Sequence, residues 1–297
     1  MNEAVARPLR VERGGDGLWS AAWRRLRANR AAILAAALLA GVVVVAALGP
    51  WVSPHDIGSV DWSLSPLASP PSLANGHWFG TDANGRDLFV RVWAGTRVSL
   101  LVALLASVVS LVIGVAWGAT AGYLGGRVDE GMMRFVDVLY ALPYMFFVIV
   151  LTVVFGRSLW LIFVAIGAVG WLTMARIVRG EALALRSRGF VDAAIALGLP
   201  PHRIIARHIV PNLLGTVVVY ATLTVPQLIL FESFLSFLGL GVQEPLTSLG
   251  RLVAEGALGM ERAPWQLLFP CAVLASILLS LNFLGDGLRD ALDPRVS

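Results

Sequence analysis

Along the chain, long apolar runs alternate with short polar segments that carry arginine. Six runs reach the roughly 20 helical residues needed to cross a hydrocarbon core about 30 Å thick. They are Ala31–Trp51, Val98–Gly122, Phe135–Phe155, Leu159–Ala175, Leu213–Leu238 and Leu267–Gly285. The pattern predicts an all-α membrane protein with six transmembrane helices, since helices satisfy their own backbone groups in lipid. A seventh uncharged run, Trp62–Thr81, is broken by Pro66, Pro70 and Pro71 amid Ser, Asn and Gly, and reads as loop. The first run is longer than a secretory signal core and five more follow it, so it reads as a retained anchor.

Composition agrees with the pattern. With 57% hydrophobic and 14% charged residues, a chain of 297 residues has too little polar surface to coat a soluble globule. Every basic residue is Arg, and without Lys the chain lacks a Walker A loop, so nucleotide hydrolysis has to come from a partner. The pI near 10.0 reflects Arg spread over membrane-flanking segments, not a nucleic-acid surface. Cys271 is the lone cysteine and has no disulfide partner.

The Arg distribution sets an orientation. Arg24, Arg25, Arg127, Arg176, Arg186, Arg203 and Arg289 are among those on one side, against only Arg86, Arg91, Arg97, Arg157, Arg251 and Arg262 on the other. The excess places both termini in the cytoplasm. Residues 1–17 read as a disordered tail. In 18–30, Trp19, Ala22, Trp23 and Leu26 recur at i, i+3, i+4, i+7, which fits an interfacial helix or a plain Arg-rich stop. The six-span body occupies 31–297, with an outer loop over 52–97 and a cytoplasmic loop over 178–212. Asn84-Gly85 marks a turn in the outer loop, where Asp82, Arg86 and Asp87 are placed to pair locally; Gly239–Pro245 reads as a further turn.

The cytoplasmic loop carries the most specific spacing. Phe190, Ala193, Ala194 and Leu197 form a narrow stripe on a short helix, suited to docking in a cleft on another protein. Asp192 lies in its first turn, Gly198 can end it in the left-handed conformation, and Pro200-Pro201 forbids continuation. Arg188 and Leu197 flank the core of the motif. Elsewhere, Gly114, Gly118 and Gly122 share one face and suit close helix packing, or more weakly a hinge. Pro143 and Pro226 interrupt the third and fifth runs. Glu232, the acidic residue well inside a run, either lines the route of a polar solute or pairs structurally with an Arg or Ser of a partner. Glu130–Arg134 and Arg134–Asp137 have the spacing of intrahelical ion pairs. His55, His77, His202 and His208 are scattered, without metal spacing, and no catalytic constellation is evident.

Asp192-Ala-Ala, Gly198 and Pro211 fall in register with the EAA loop of ABC-importer permeases. Gly80-Thr-Asp, Met174-Ala-Arg-Ile-Val-Arg-Gly180, His208-Ile-Val-Pro-Asn212, Phe231–Gly241 and Gly285–Pro294 extend the likeness almost end to end. The chain thus resembles the type I permeases of the oligopeptide/dipeptide (and nickel) branch. Asp192, His208, Val210 and Leu249 depart from the usual residues. The resemblance implies a heterodimer with a second permease in a bacterial inner membrane, two cytoplasmic ATPases that hold ATP and Mg, and an extracytoplasmic peptide-binding protein. It implies no cofactor on this chain and no covalent chemistry. The coupling residues it implies are Arg188, Phe190, Asp192, Ala193, Ala194, Leu197 and Gly198. The function it implies is ATP-driven import of oligopeptides, with a dipeptide, nickel or modified-peptide cargo as the nearest alternative. An ion-driven secondary transporter would need an internal repeat and several midplane charges, and neither is evident.

Overall fold

A computed structural model describes residues 18–63, 68–156 and 158–292; the tail expected over 1–17 lies outside them. In order, the helices are α1 (Leu18–Ala28), α2 (Arg30–Val52), α3 (Leu88–Leu124), α4 (Gly126–Ala141), α5 (Tyr144–Phe155) and α6 (Leu159–Arg186). They continue with α7 (Gly189–Ala196), α8 (Pro201–Ile204), α9 (Val210–Phe237), α10 (Leu249–Leu258) and α11 (Trp265–Leu292). A π-helical turn, Ile205–Ile209, joins α8 to α9. Pro211 has no N–H for the carbonyl four residues back, and the Val210 N–H reaches instead to Ile205, five residues back. Among the described residues there are no strands beyond two isolated bridges, Val60 to Arg86 and Thr81 to Asp87.

Among the described residues, five helices are long and apolar enough to cross a membrane: α2, α3, α6, the α8–α9 run and α11. The sixth expected span, Phe135–Phe155, is not one rod. It is divided at Leu142-Pro143 into α4 and α5, which meet at 81°. Proline accounts for the break, since it gives the last turn of α4 no donor and turns the preceding residue out of the helical region. A second correction concerns α3. It starts at Leu88, inside the segment expected as outer loop, because Asp87 caps it by accepting from the Val90 N–H at 2.8 Å.

α3 and α6 run parallel and form the closest pair in the fold. Gly114, Gly118 and Gly122 face Met174, Ala175, Val178, Arg179 and Ala182. A Cβ on Gly114 would sit 2.6 Å from the Met174 Cβ, and one on Gly122 would sit 2.6 Å from the Arg179 carbonyl oxygen. From the other helix, Gly167 lies against Val109 and Ala106. Lipid supplies no hydrophobic drive between helices, so backbone proximity at small residues holds them together. The expected pairs Glu130–Arg134 and Arg134–Asp137 do not form. Arg179 instead grips Asp129 of α4 with two hydrogen bonds of 2.6 Å, and Arg176 reaches Asp137 at 2.7 Å. A bidentate bridge between helices fixes α4 on α6 in a way that a pair within α4 would not.

At the end of the bundle where α3 begins, the segment before it folds into an ordered cap. Its turns use Gly76, Gly80 and Gly85 at positive φ. Trp265 and Gln266 of α11 donate to the Thr81 carbonyl and pin the cap to the bundle. Pro50 leaves the Ala46 carbonyl of α2 without its helical donor, and the Arg97 guanidinium supplies one. Six charges then close a ring of alternating sign. Arg86 pairs with Asp82 at 2.7 Å and Glu244 at 3.0 Å; Arg251 pairs with Glu244 at 3.1 Å and Glu255 at 2.9 Å. Arg91 completes the ring by pairing with Glu255 at 3.0 Å and with Asp82. The ring ties the cap, α3, the α9–α10 loop and α10 into one unit.

Two outcomes follow from this packing. Gly118→Leu forces α3 from α6 and should cost about 1–3 kcal/mol or more, read as a lower thermal unfolding midpoint of the detergent-purified protein. Gly131→Ala in α4, which meets open space, should be neutral or slightly stabilising. The hydrogen bond from Arg86, with its charge, holds the Glu244 carboxyl below its usual range. A depressed carboxyl stabilises above the ordinary range near pH 4 and loses that contribution as pH falls through its folded value. The thermal midpoint should therefore fall on acidification, and Glu244→Gln should lower it at neutral pH while flattening that acid limb.

Candidate functional site

The segment with the most specific spacing folds into α7, a sharp reversal and α8. Gly198, at φ 74°, ends α7 in a Schellman motif: the Leu199 N–H reaches the Ala194 carbonyl at 3.2 Å and the Gly198 N–H the Ile195 carbonyl at 2.9 Å. Pro200 and Pro201 then start α8, with Pro201 at its first position. Two faces of α7 differ in what they meet. Val191 and Ala194 are buried in a cluster with Tyr123 of α3, Met174, Val178 and Ala182 of α6, and Ile204, Ile209 and Leu213. The helix is thus seated on the parallel α3–α6 pair and the foot of α9.

The other face is open. Arg188, Phe190, Asp192, Ala193, Ile195, Leu197 and Gly198 are exposed, Leu197 by 81%. Asp192 forms no ion pair among the described residues, so a carboxylate in the first turn stands free beside apolar side chains. Ala194 departs from the expected stripe. It lies three residues from Val191 on the inward face, so it seats α7 and does not reach outward. The outward stripe runs through Phe190, Ala193 and Leu197. Phe190 also packs near the His208 ring, with centroids 6.5 Å apart.

Glu232 occupies a different setting from a route-lining group. Its side chain is wholly buried and accepts from Ser99 of α3 at 2.8 Å and Ser236 at 2.7 Å. Ser248, the N-cap of α10, donates to Ser236 at 3.0 Å, and the Leu249 N–H donates to Ser99 at 3.2 Å. The carboxyl is therefore the centre of a hydroxyl network joining α3, α9 and α10, within this chain. The expected pairing with a Ser is met within this chain; Ser236 is visible at helical spacing, whereas Ser99 lies 133 positions away.

The histidines are not all scattered, either. His55, His77 and Asp87 bring possible metal-ligand atoms within 4.8 Å of one another. His55 and His77 are stacked, however, with planes 10° apart and centroids at 4.1 Å. Imidazole lone pairs lie in the ring plane, so two such rings do not aim at one point. The His77 Nδ1–H instead donates to Asp87 at 2.8 Å, bracing the residue that caps α3.

A cavity of about 270 Å³ opens between the α4–α5 break, α6 and α9. Its polar lining is Tyr140, Thr173, Thr224 and Gln227. The sequence reading singled out none of these; its one available signal was that Gln227 is the lone carboxamide in the fifth apolar run.

Residues 114–297 match the model of the family described as the binding-protein-dependent transport system inner membrane component, and residues 17–71 match the N-terminal TM domain of oligopeptide transport permease C. The oligopeptide transport system permease protein OppC of Escherichia coli K12 is 51% identical over 293 residues, covering 99% of this chain and 96% of that one. Its namesake in Haemophilus influenzae is 50% identical, covering 95% and 90%. The dipeptide transport system permease protein DppC of Bacillus subtilis is 45% identical, covering 93% and 85%. Among solved structures, the MetNI methionine ABC transporter matches with a TM-score of 0.50 at 19% identity, over 69% of this chain and 96% of that one, a likeness of fold. The chain belongs to the family of inner membrane components of binding-protein-dependent transport systems.

Proposed function

We propose that this chain is one of two membrane subunits of an ATP-driven importer for oligopeptides, and that the outward face of α7 is its docking surface for a partner ATPase. The observation that carries the reading is the two-faced seating of α7. One side is locked into the bundle through Val191 and Ala194, and the other offers Phe190, Ala193, Leu197 and a free Asp192. Identity of about half over nearly the whole length of two oligopeptide permeases supports the cargo class. The absence of Lys supports a reading in which Walker-type nucleotide chemistry, with ATP and Mg, belongs to two separate ATPase subunits. The remaining partners are a second permease and an extracytoplasmic peptide-binding protein. In this arrangement α7 and both termini face the cytoplasm, and the charged ring and its cap face outward, where the loaded binding protein arrives.

The work then has a route. Closure of the ATPases displaces α7, and Val191, Ala194, Ile204 and Ile209 pass that displacement to α3, α6 and α9. A well-packed cluster resists compression, so it transmits displacement instead of absorbing it. The dipeptide alternative has its own support in the Bacillus subtilis relative. Competition for uptake between dipeptides and longer peptides separates the two.

Ala193→Arg puts an unpaired guanidinium in the docking face while sparing the buried one. An uncompensated charge in a closed interface costs about 3–5 kcal/mol. The variant should insert normally, and should lose at least tenfold in peptide uptake and in ATPase stimulation by loaded binding protein. Gly198→Val strains the left-handed cap and should behave likewise. Wild-type uptake by Ala193→Arg proteoliposomes removes α7 as the docking element.

A further inference from the structure

We infer that the cavity between the α4–α5 break, α6 and α9 is this chain's wall of the translocation path, where Thr173 and Gln227 hydrogen-bond the main chain of a peptide in transit. The inference rests on the oligopeptide reading above and names the surface that the cargo touches.

Unpaired polarity at depth is the first ground. Many polar groups in the long helices close onto their own chain: Ser99 and Ser236 onto Glu232, Thr96 onto the Val92 carbonyl, Asn282 onto the Leu278 carbonyl. The Gln227 carboxamide and the Thr173 hydroxyl form no such bond among the described residues, and both residues line the cavity and are exposed. Gln227 lies ten residues before the end of α9 at Phe237, about 15 Å along the axis. Thr173 sits near the middle of α6. Thr173 lies two residues inside the end of its apolar run at Ala175, and Gln227 lies deep in a core about 30 Å thick. A bare amide there is costly in lipid, so it belongs against protein or water.

The broken span is the second, independent ground. α4 and α5 part at Leu142-Pro143 with an 81° bend, and Leu139, Tyr140 and Leu142 at that break line the same cavity. Interrupting a helix leaves last-turn carbonyls without helical donors. Such backbone is tolerated at membrane depth only where protein buries it or an aqueous cavity solvates it. The cavity volume of about 270 Å³ far exceeds the roughly 30 Å³ that a water occupies in the liquid.

The chemistry of the lining selects the cargo group. Among the described residues, no charged side chain lines the cavity. The neighbouring Arg176 lies 4.1 Å over the Tyr140 ring and is paired with Asp137 at 2.7 Å, which neutralises it. A carboxamide and a hydroxyl each donate and accept, as every peptide unit of a main chain does. Neutral groups of this kind hold an amide backbone without favouring acidic or basic side chains. The leucines and Phe231 that complete the wall accept side chains by contact alone.

The test uses the complete importer in proteoliposomes, with Cys271→Ala as parent and Thr173→Cys or Gln227→Cys added. A charged, membrane-impermeant methanethiosulfonate should modify both thiols and block uptake. A transported tripeptide, with loaded binding protein and ATP, should slow modification at least fivefold. In the Cys271→Ala parent, Gln227→Ala should raise the apparent KM for peptide several-fold. Thiols that react only with a lipid-soluble maleimide, or that react with the charged reagent without protection by peptide while the parent transports, overturn this inference alone. A parent that takes up no peptide overturns the oligopeptide reading, and the main-chain assignment with it.

Discussion

Backbone contact between two parallel helices is the constraint on which the molecule depends. α3 and α6 approach so closely at Gly114, Gly118, Gly122 and Gly167 that any added Cβ would meet a neighbour inside 3 Å. Contact that close leaves no soft layer between the helices. In lipid, where apolar side chains gain nothing by leaving the solvent, dispersion and interhelical polar bonds take over the role of the hydrophobic effect. The other elements attach to this pair. α4 is gripped through Asp129 and Arg179, α7 sits on it through Val191 and Ala194, and α9 joins through Ser99 and Glu232.

The two ends of the bundle solve different problems. At the α7 end, the knob proposed to receive force is short, sharply capped and, among the described residues, free of ion pairs with its own chain. At the other end, a ring of six alternating charges joins four segments that are distant in sequence. Exposed pairs taken singly are worth little. A closed ring with Arg91 and Asp82 nearly buried fixes geometry, because every member restrains two others. Such a cap suits the surface proposed to meet the binding protein.

Local chemistry was legible in the residues, and long-range pairing was not. The apolar runs, the small-residue face at Gly114–Gly122, the cap at Gly198 and the turns at Gly80 and Gly85 each follow from a few neighbouring positions. The bend at Pro143 was visible as an interruption, but its angle is set by what α4 and α5 pack against. Asp87 starts α3 at Leu88, and the buried Arg91 in its first turns is compensated by Asp82 and Glu255, partners that sequence spacing does not reveal. The same holds for Glu232, whose hydroxyl partner Ser99 lies on another helix, and for Arg179, which chose Asp129 across helices. Ala194 was misplaced for a subtler reason. A stripe of small residues fits both an inward seat and an outward dock, and only the packing of Val191 beside it decides between them.

If α7 moves as a rigid part of the α3–α6 unit, a pair of spin-label distances in the assembled importer shows it most directly. One label sits on α7 at Ala193 and the second on the exposed end of α6 at Ala184, both open positions. Their separation should stay constant between nucleotide-free and ATP-bound states, while the distance from Ala193 to the matching helix of the second membrane subunit changes. A shift of α7 relative to α6, with no change between subunits, would contradict the account.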